Sequence, residues 1–382
     1  YYSDHGSGMP RLKRLLLDSG MKVPMMVRFP EKYKHLAPKA AGQTTGRLVS
    51  FVDLAPTILS LCGIDIPEYM QGVVFLGPNA AAPRTYIYGA RDRVDEAYDL
   101  DRSIRYDRSM YSSNYMPHVS YNQPSSYSDT AEIRQEIRRI ATQGREAMTA
   151  PQWHYAGPTK PLEEFYDTLR DPHNINNLAD DPSMAQTLEE MRNELNAWME
   201  ATGDVGFLPE SETRVRTAGA PPYQWRHDAK KNPLEKLRDA AALVGSGEEA
   251  VKSQIKLLKA SDAALRYWGA VGLAAQSELS EKAVKALTKA LEDDTACVRI
   301  ESAYGLLKNG KSLAALETLE NELAARNVED ALHATRAVEL LGQRAIALKE
   351  AMQRMRARAE GGGDMNLYLR FSTEAFLTAV SQ

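Results

Sequence analysis

Tyr1-Tyr2-Ser3-Asp4-His5-Gly6 opens the chain, and Gly8-Met9-Pro10-Arg11-Leu12-Lys13, Asp18-Ser19-Gly20 and Val23-Pro24-Met25-Met26-Val27-Arg28-Phe29-Pro30 follow within thirty residues. The first six residues read as a strand end running into an acid–imidazole–glycine turn. Lys22 to Phe29 is a short apolar run bounded by Gly20 and Pro30, which predicts a buried strand. Asp53 reads as the cap of a helix with Pro56 in its first turn, where a missing N–H does no harm. Ile58, Leu59 and Leu61 are expected to form the buried side of that helix, and Gly63 to stop it. Strand and helix alternating in this way predict an α/β layer over residues 1–63.

Downstream the character changes. Thr85 to Tyr88 and Arg105 to Tyr115 are rich in Tyr, Ile and Arg, a pattern for short antiparallel strands. Residues 128–148 are polar and charged, compatible with a surface helix. Glu164-Phe165-Tyr166-Asp167 precedes Arg170-Asp171-Pro172, a turn signal. Met184, Leu188, Met191, Leu195 and Trp198 recur at four and three residues, one apolar helix face ending at Thr202-Gly203. Residues 206–232 hold Gly and Pro with few aliphatics and read as a connector or as an extended C-terminal lap of the preceding domain. After Pro233 no proline occurs, and Ala, Leu, Glu and Lys dominate.

That last part repeats itself. Ala264-Leu265-Arg266-Tyr267-Trp268-Gly269-Ala270-Val271-Gly272-Leu273 aligns with Cys297-Val298-Arg299-Ile300-Glu301-Ser302-Ala303-Tyr304-Gly305-Leu306, and Ala331-Leu332-His333-Ala334-Thr335-Arg336-Ala337-Val338-Glu339-Leu340 follows at nearly the same interval. The pattern resembles HEAT repeats, helix pairs with a small Ala at a tight crossing, and three or four of them suffice to bury a continuous core. Gly361-Gly362-Gly363 marks a break before a short amphipathic end piece.

The bulk numbers agree with a globular protein of two or three domains. The 382 residues are 43% hydrophobic and 26% charged, with a net charge of −4 and no basic block of the kind that meets nucleic acid. Cys62 and Cys297 are the two cysteines; both sit in apolar helical patterns and read as buried free thiols. No run approaches the ~18 apolar residues of a membrane span.

An Asp carboxylate offers hard oxygen to a cation and a neutral imidazole offers nitrogen, and a turn at Gly6 lets neighbouring side chains converge. Alone, such a tetrapeptide is commonly an Asx turn with an exposed His. The surrounding sequence resembles the sulfatases of the alkaline-phosphatase superfamily, in which this turn supplies two ligands of a divalent ion, usually calcium. Asp4 and His5 match those ligands. The resemblance implies that Lys13 contacts a sulfate oxygen, with Arg11 and Arg14 competing for that role, and the Met9-Pro10-Arg11-x-Lys13 phrasing is similar to a heparan N-sulfatase-like subgroup. Val52-Asp53-Leu54-Ala55-Pro56-Thr57-Ile58-Leu59 and the Glu164–Asp167, Asp171-Pro172, Asn177-Leu178 series are also similar to that family, in structural roles. Arg91 and Arg93, in Arg91-Asp92-Arg93-Val94-Asp95-Glu96, either pair with sulfated or carboxylated sugars, together with Arg11, or form an ion-paired loop. His118 and His154 sit in Tyr-rich loops and read as incidental.

The resemblance implies an α/β, alkaline-phosphatase-like sulfatase fold. Its C-terminal portion, with a small antiparallel-sheet subdomain, would be followed by an all-α HEAT-repeat tail. The boundaries fall at 1–83 for the α/β part, 84–205 for the subdomain, 206–232 for the connector, 233–360 for the repeats and 361–382 for the end piece. It also implies hydrolysis of sulfate esters or N-sulfate on a carbohydrate through a formylglycine nucleophile and Ca2+. Formylglycine is made from Cys or Ser in C/S-x-P-x-R, and the 382 residues contain no such sequence. The expectation is therefore an enzyme fragment, inactive alone, with the nucleophile and the remaining calcium ligands upstream. A periplasmic or secreted location follows from the resemblance. The alternatives are a phosphoester or phosphonate hydrolase of the same superfamily, or a protein-binding module built on the helical repeats.

Overall fold

A computed structural model of the chain describes residues 1–217, 219–310 and 312–381. They fall into two compact units interleaved along the sequence, so the contiguous boundaries drawn above do not coincide with them. The first unit gathers Tyr1–Ala90, Arg102–Ser112 and Glu163–Leu195; the second takes Arg91–Asp101, Ser113–Leu162 and the chain from Asn196 onward.

In the first unit, Tyr1 to Ser3 lie antiparallel to Pro24–Met26, with a bridge between Tyr2 and Met25 and bonds from Met26 N to Tyr1 O (2.7 Å) and Ser3 N to Pro24 O (3.3 Å). The predicted buried strand is thus only an extended ribbon. Met26 and Val27 are more than half exposed, because a single short partner offers no ladder on the other edge and no layer on either face. Residues 9–17 form a succession of turns, with Arg11 and Arg14 at positive φ, before a short helix over Asp18–Met21. Gly20 is required there: a Cβ would lie 2.3 Å from the Leu12 carbonyl oxygen and 2.4 Å from that of Leu15.

The helix Leu54–Leu61 forms where expected. Its end is a Schellman motif, with Gly63 at positive φ and Ile64 N bonding Leu59 O at 2.9 Å. The buried face is not the predicted one. Pro56, Thr57 and Ser60 point inward, whereas Ile58 is 58% exposed. Asp53 is no simple cap either: its carboxylate makes no capping bond to this helix. It accepts from Ser50 N (3.0 Å), Val73 N (2.7 Å) and Arg84 Nε (2.8 Å), and Thr57 Oγ1 accepts from Phe75 N (3.1 Å). The helix is therefore clamped to the 72–75 segment, and Gly72 is obligatory because a Cβ would sit 2.0 Å from the Val52 carbonyl oxygen. Burial works to raise the Asp53 pKa, but the bonds from Arg84, Val73 and Ser50 outweigh it and hold the carboxyl below its usual range. Cys62 follows the helix and is exposed, contrary to expectation, because the inward face turns away from it; Cys297 is buried.

Four strands make a small antiparallel sheet in the order β1 (Tyr86–Arg91), β2 (Asp101–Tyr106), β3 (Ser109–Asn114), β4 (Glu163–Asp167). Asp107, at positive φ, makes the tight β2–β3 turn. Beside β4, Glu163 accepts from Tyr111 Oη (2.5 Å) and from Arg192 through both oxygens (2.8 Å each). The long helix Ala185–Thr202 buries Leu188, Met191 and Leu195 on the face its periodicity predicted.

The second unit is mainly helical. The helix Glu132–Ala141 buries nothing and is tied to Asp129 through Arg134 (3.0 Å) and Arg138 (2.9 Å to Oδ1). The three self-similar segments lie on Ala263–Ala274, Ala296–Asn309 and Val328–Leu341, each packed on the next, with Val251–Leu257, Glu281–Ala290 and Leu313–Leu323 packed beside them. Arg266 pairs with Asp293 (2.7 Å) and Arg299, its equivalent one repeat later, with Glu322 (2.7 Å). The stretch read as a connector is structured: it carries the helix Glu210–Thr217, and Phe207, fully buried, accepts a hydrogen bond at its carbonyl from Trp268 Nε1 (2.8 Å). The end piece after the three glycines is a helix, Asp364–Ala379, that buries Leu369 and Phe376 against the repeats.

Candidate functional site

The Asp4-His5 turn is held by its backbone. Gly6 N bonds Gly20 O (3.2 Å) and Lys13 N bonds Ser7 O (3.0 Å), while Ser3 Oγ donates to His5 O (2.7 Å). A Cβ on Gly6 would lie 2.6 Å from the Ser19 carbonyl oxygen, so the crossing of the turn over the 12–20 loop depends on that glycine. His5 Nδ1 lies 2.6 Å from Gly6 O, a geometry in which Nδ1 donates to the carbonyl and Nε2 is turned to the opening. That Nε2 stands 3.5 Å from an Asp4 carboxylate oxygen, and the Asp4 side chain is 80% exposed. One hard oxygen donor and one imidazole nitrogen thus face the same opening. They fit part of a divalent-cation site: calcium takes six or more ligands, and no cluster of three or more His, Cys, Asp or Glu suited to a metal occurs among the described residues.

The structure brings Lys13 to this turn through its backbone, whereas Arg11 is directed elsewhere. Its guanidinium donates to His173 O (3.0 Å) and Asn174 O (2.8 Å). Asn174 in turn accepts from Asp18 N (2.8 Å), and Asp18 pairs with Arg105. Arg11 therefore fastens the loop that carries Lys13.

Arg91 and Arg93 lie in the second unit and have different surroundings. Arg91 is buried and pairs with Asp99 (3.6 Å), in a cluster where the fully buried Lys160 reaches Asp99 (2.5 Å) and Asp101 (2.9 Å). Burial, and then the charge of Asp99, raise Asp101 to about 6. Arg93 is held by both oxygens of Glu210 (2.8 and 2.9 Å) and lies over the Tyr368 ring. Both thus occupy ion-paired positions, the second of the two readings their sequence allowed. His154 sits against the Tyr121 ring.

Sequence reasoning missed a cavity of about 80 Å³ in the second unit, lined from three separated stretches, 93–123, 209–211 and 267–340. Arg93 and His118 are on its wall. Burial depresses His118 to about 4, and no partner reaches its Nδ1 among the described residues.

Residues 11–84 match the family described as N-sulphoglucosamine sulphohydrolase, C-terminal. An ulvan-active sulfatase of Formosa agariphila is 41% identical over 212 residues, 56% of this chain and 34% of that protein. The N-sulphoglucosamine sulphohydrolase of Homo sapiens is 29% identical over 221 residues, 53% of this chain and 41% of that protein. A solved structure assigned as a sulfatase of Bacteroides thetaiotaomicron aligns with a TM-score of 0.35 and 20% identity, over 52% of this chain and 35% of that one. Part of the chain is thus similar to the C-terminal region of sulfatases, and the chain spans little more than a third of the length of the curated relatives it matches.

Proposed function

We propose that the chain serves hydrolysis of sulfate esters or N-sulfate on a carbohydrate. In this reading Asp4 and His5 are two ligands of a calcium ion and Lys13 faces the sulfate. The observation that carries it is the Asp4 carboxylate beside His5 Nε2 at 3.5 Å, open to solvent, on a turn bonded to the Lys13 backbone. Bound calcium would neutralise sulfate oxygens as a Lewis acid. Lys13 would add an ammonium at the same anion, and Gly6 and Gly20 would hold the two in register. Arg11 orders the loop from beneath. The formylglycine nucleophile and further calcium ligands lie outside these 382 residues in this reading, and the location is periplasmic or secreted. No helix of the described residues is long and apolar enough to cross a membrane.

The helical repeats read best as a structural appendage. None of their described aromatic side chains is exposed; the large exposed hydrophobics there are Val284, Leu313, Leu340 and Ile346, which are scattered along the sequence.

The test is expression of the source gene's whole reading frame and assay of sulfate release from ulvan oligosaccharides and N-sulfoglucosamine. Lys13→Ala and Asp4→Asn should each lower kcat/KM about 100-fold or more, the range for losing one group that stabilises developing charge. Chelation should abolish turnover and calcium restore it. Cleavage of phosphate esters with no sulfate release would overturn the proposal in favour of a phosphoester hydrolase.

A further inference from the structure

The third repeat breaks its own pattern at three positions: Glu339, which pairs with Arg336, replaces Gly272 and Gly305 of the first two copies, and two further departures concern the cavity. Where the first two copies have Arg266 and Arg299, the third has His333; where they have Gly269 and Ser302, it has Arg336. Both departures line the cavity of the second unit. His333 does not reach forward along the chain as the arginines do, to Asp293 and Glu322, but bonds Glu301 at 2.7 Å. Arg336 is buried, pairs with Glu339 (2.7 Å) and donates to Gln123 Oε1 (3.0 Å) and Pro124 O (2.8 Å). Packing asks only for a small side chain at that crossing, and enclosing a guanidinium costs several kcal/mol before pairing.

The wall has unspent polar capacity. Glu96 is 1% exposed; its Oε1 accepts from Ser126 N (2.5 Å), and no donor from another of the described residues reaches Oε2. His118 Nδ1 and Arg336 Nε are likewise enclosed with no partner among the described residues. Tyr98, Tyr267 and Tyr304 add aromatic surface. An apolar occupant would strand three polar groups. An anion would meet four lining glutamates (Glu96, Glu210, Glu301, Glu329) against two arginines (Arg93, Arg336). A metal lacks a cluster of ligands among the described residues. The volume of about 80 Å³ has room for roughly six waters, or ~180 Å³ of displaced liquid, the bulk of one small ring.

We propose that this cavity binds a single saccharide ring bearing no sulfate or other anionic group. Its hydroxyls would donate to Glu96 and accept from Arg336, and its C–H faces would lie on the tyrosines. The site is separate from the Asp4–His5 turn and its occupancy is read without turnover, so it stands or falls independently of the sulfatase reading.

Titration calorimetry of the 382-residue chain with glucose, galactose, xylose, glucosamine and glucose 6-sulfate tests it. At least one unsulfated sugar should bind with a Kd of about 1 mM, and glucose 6-sulfate at least tenfold more weakly than glucose. Glu96→Gln, of the same shape, should weaken binding about tenfold. Tyr304→Leu, which removes the aromatic face and keeps an apolar side chain, should weaken binding a fewfold, so the test survives if the first variant fails to fold. No saturable binding of any unsulfated sugar, tighter binding of the sulfated ring, or unchanged affinity in well-folded variants would each overturn the proposal.

Discussion

Lys160→Met removes a cation from the most enclosed charge cluster described here. Lys160 has no solvent exposure and bridges Asp99 and Asp101, with Arg91 on the far side of Asp99. Intact, two cations balance two carboxylates. Without Lys160, Asp101 is left buried with a like charge beside it, and breaking a buried pair in this way costs about 3–5 kcal/mol. Against a total stability of about 5–15 kcal/mol this is a large fraction. The cost must also depend on pH. Asp101 already sits near 6, and loss of the neighbouring ammonium raises it further. Asp101→Asn added to Lys160→Met should recover about half of the loss, because the Arg91–Asp99 pair then stands alone. The assay is urea unfolding of the 382-residue chain at pH 5 and pH 8, with Arg139→Ala, from an exposed pair with Glu136, as a control that leaves the midpoint in place. The destabilisation should be larger at pH 8, where the buried Asp101 carboxyl is charged. A loss below about 1 kcal/mol at both pH values, or one larger at pH 5, would refute the reasoning.

Other outcomes follow from single contacts. Gly72→Ala must displace the backbone at Val52, whose oxygen lies 2.0 Å from the added carbon, and should cost about 2 kcal/mol or more in thermal unfolding. His118 has its pKa lowered to about 4, by burial first and by Lys308 and Lys160, against the opposing pull of Glu301 and Asp99. The unfolded state therefore binds more protons between pH 4 and about 6.5, and stability should rise across that window. His118→Gln should flatten that rise in pH-dependent unfolding by about 3 kcal/mol. A thiol reagent should modify Cys62 at once and Cys297 only on unfolding; two fast thiols would contradict the burial of Cys297.

What the sequence revealed depended on whether its signal was local. The periodic spacing of Leu188, Met191 and Leu195 marked a true buried face, and the three aligned segments fell on three stacked helices. Lys22–Phe29 misled, because apolar residues do not guarantee a neighbour to complete a ladder. Ile58 misled because the clamp at Asp53, not hydrophobicity, orients its helix: Thr57 turns inward to accept a bond from Phe75 N. At the candidate site, the juxtaposition of Asp4 and His5 was legible, since it spans two residues and a glycine. The anchoring of Arg11 to residues 173 and 174 was not, and neither was the sorting of Arg91 into a buried cluster and Arg93 onto a cavity wall. Those depend on residues far along the chain.

The sheet has a consequence for the order in which the chain is made. β1, β2 and β3 follow closely in sequence, but β4, which pairs with β3, comes only after residues 115–162. At ribosomal speeds of about 5–20 residues per second, the outer edge of β3 waits roughly 2–10 s for its partner. Through that interval Ser109 to Asn114 present unpaired backbone donors and acceptors, an adhesive edge for any other extended chain nearby. Synthesis rate, and the chaperones that shield a nascent strand, therefore bear on the yield of this protein.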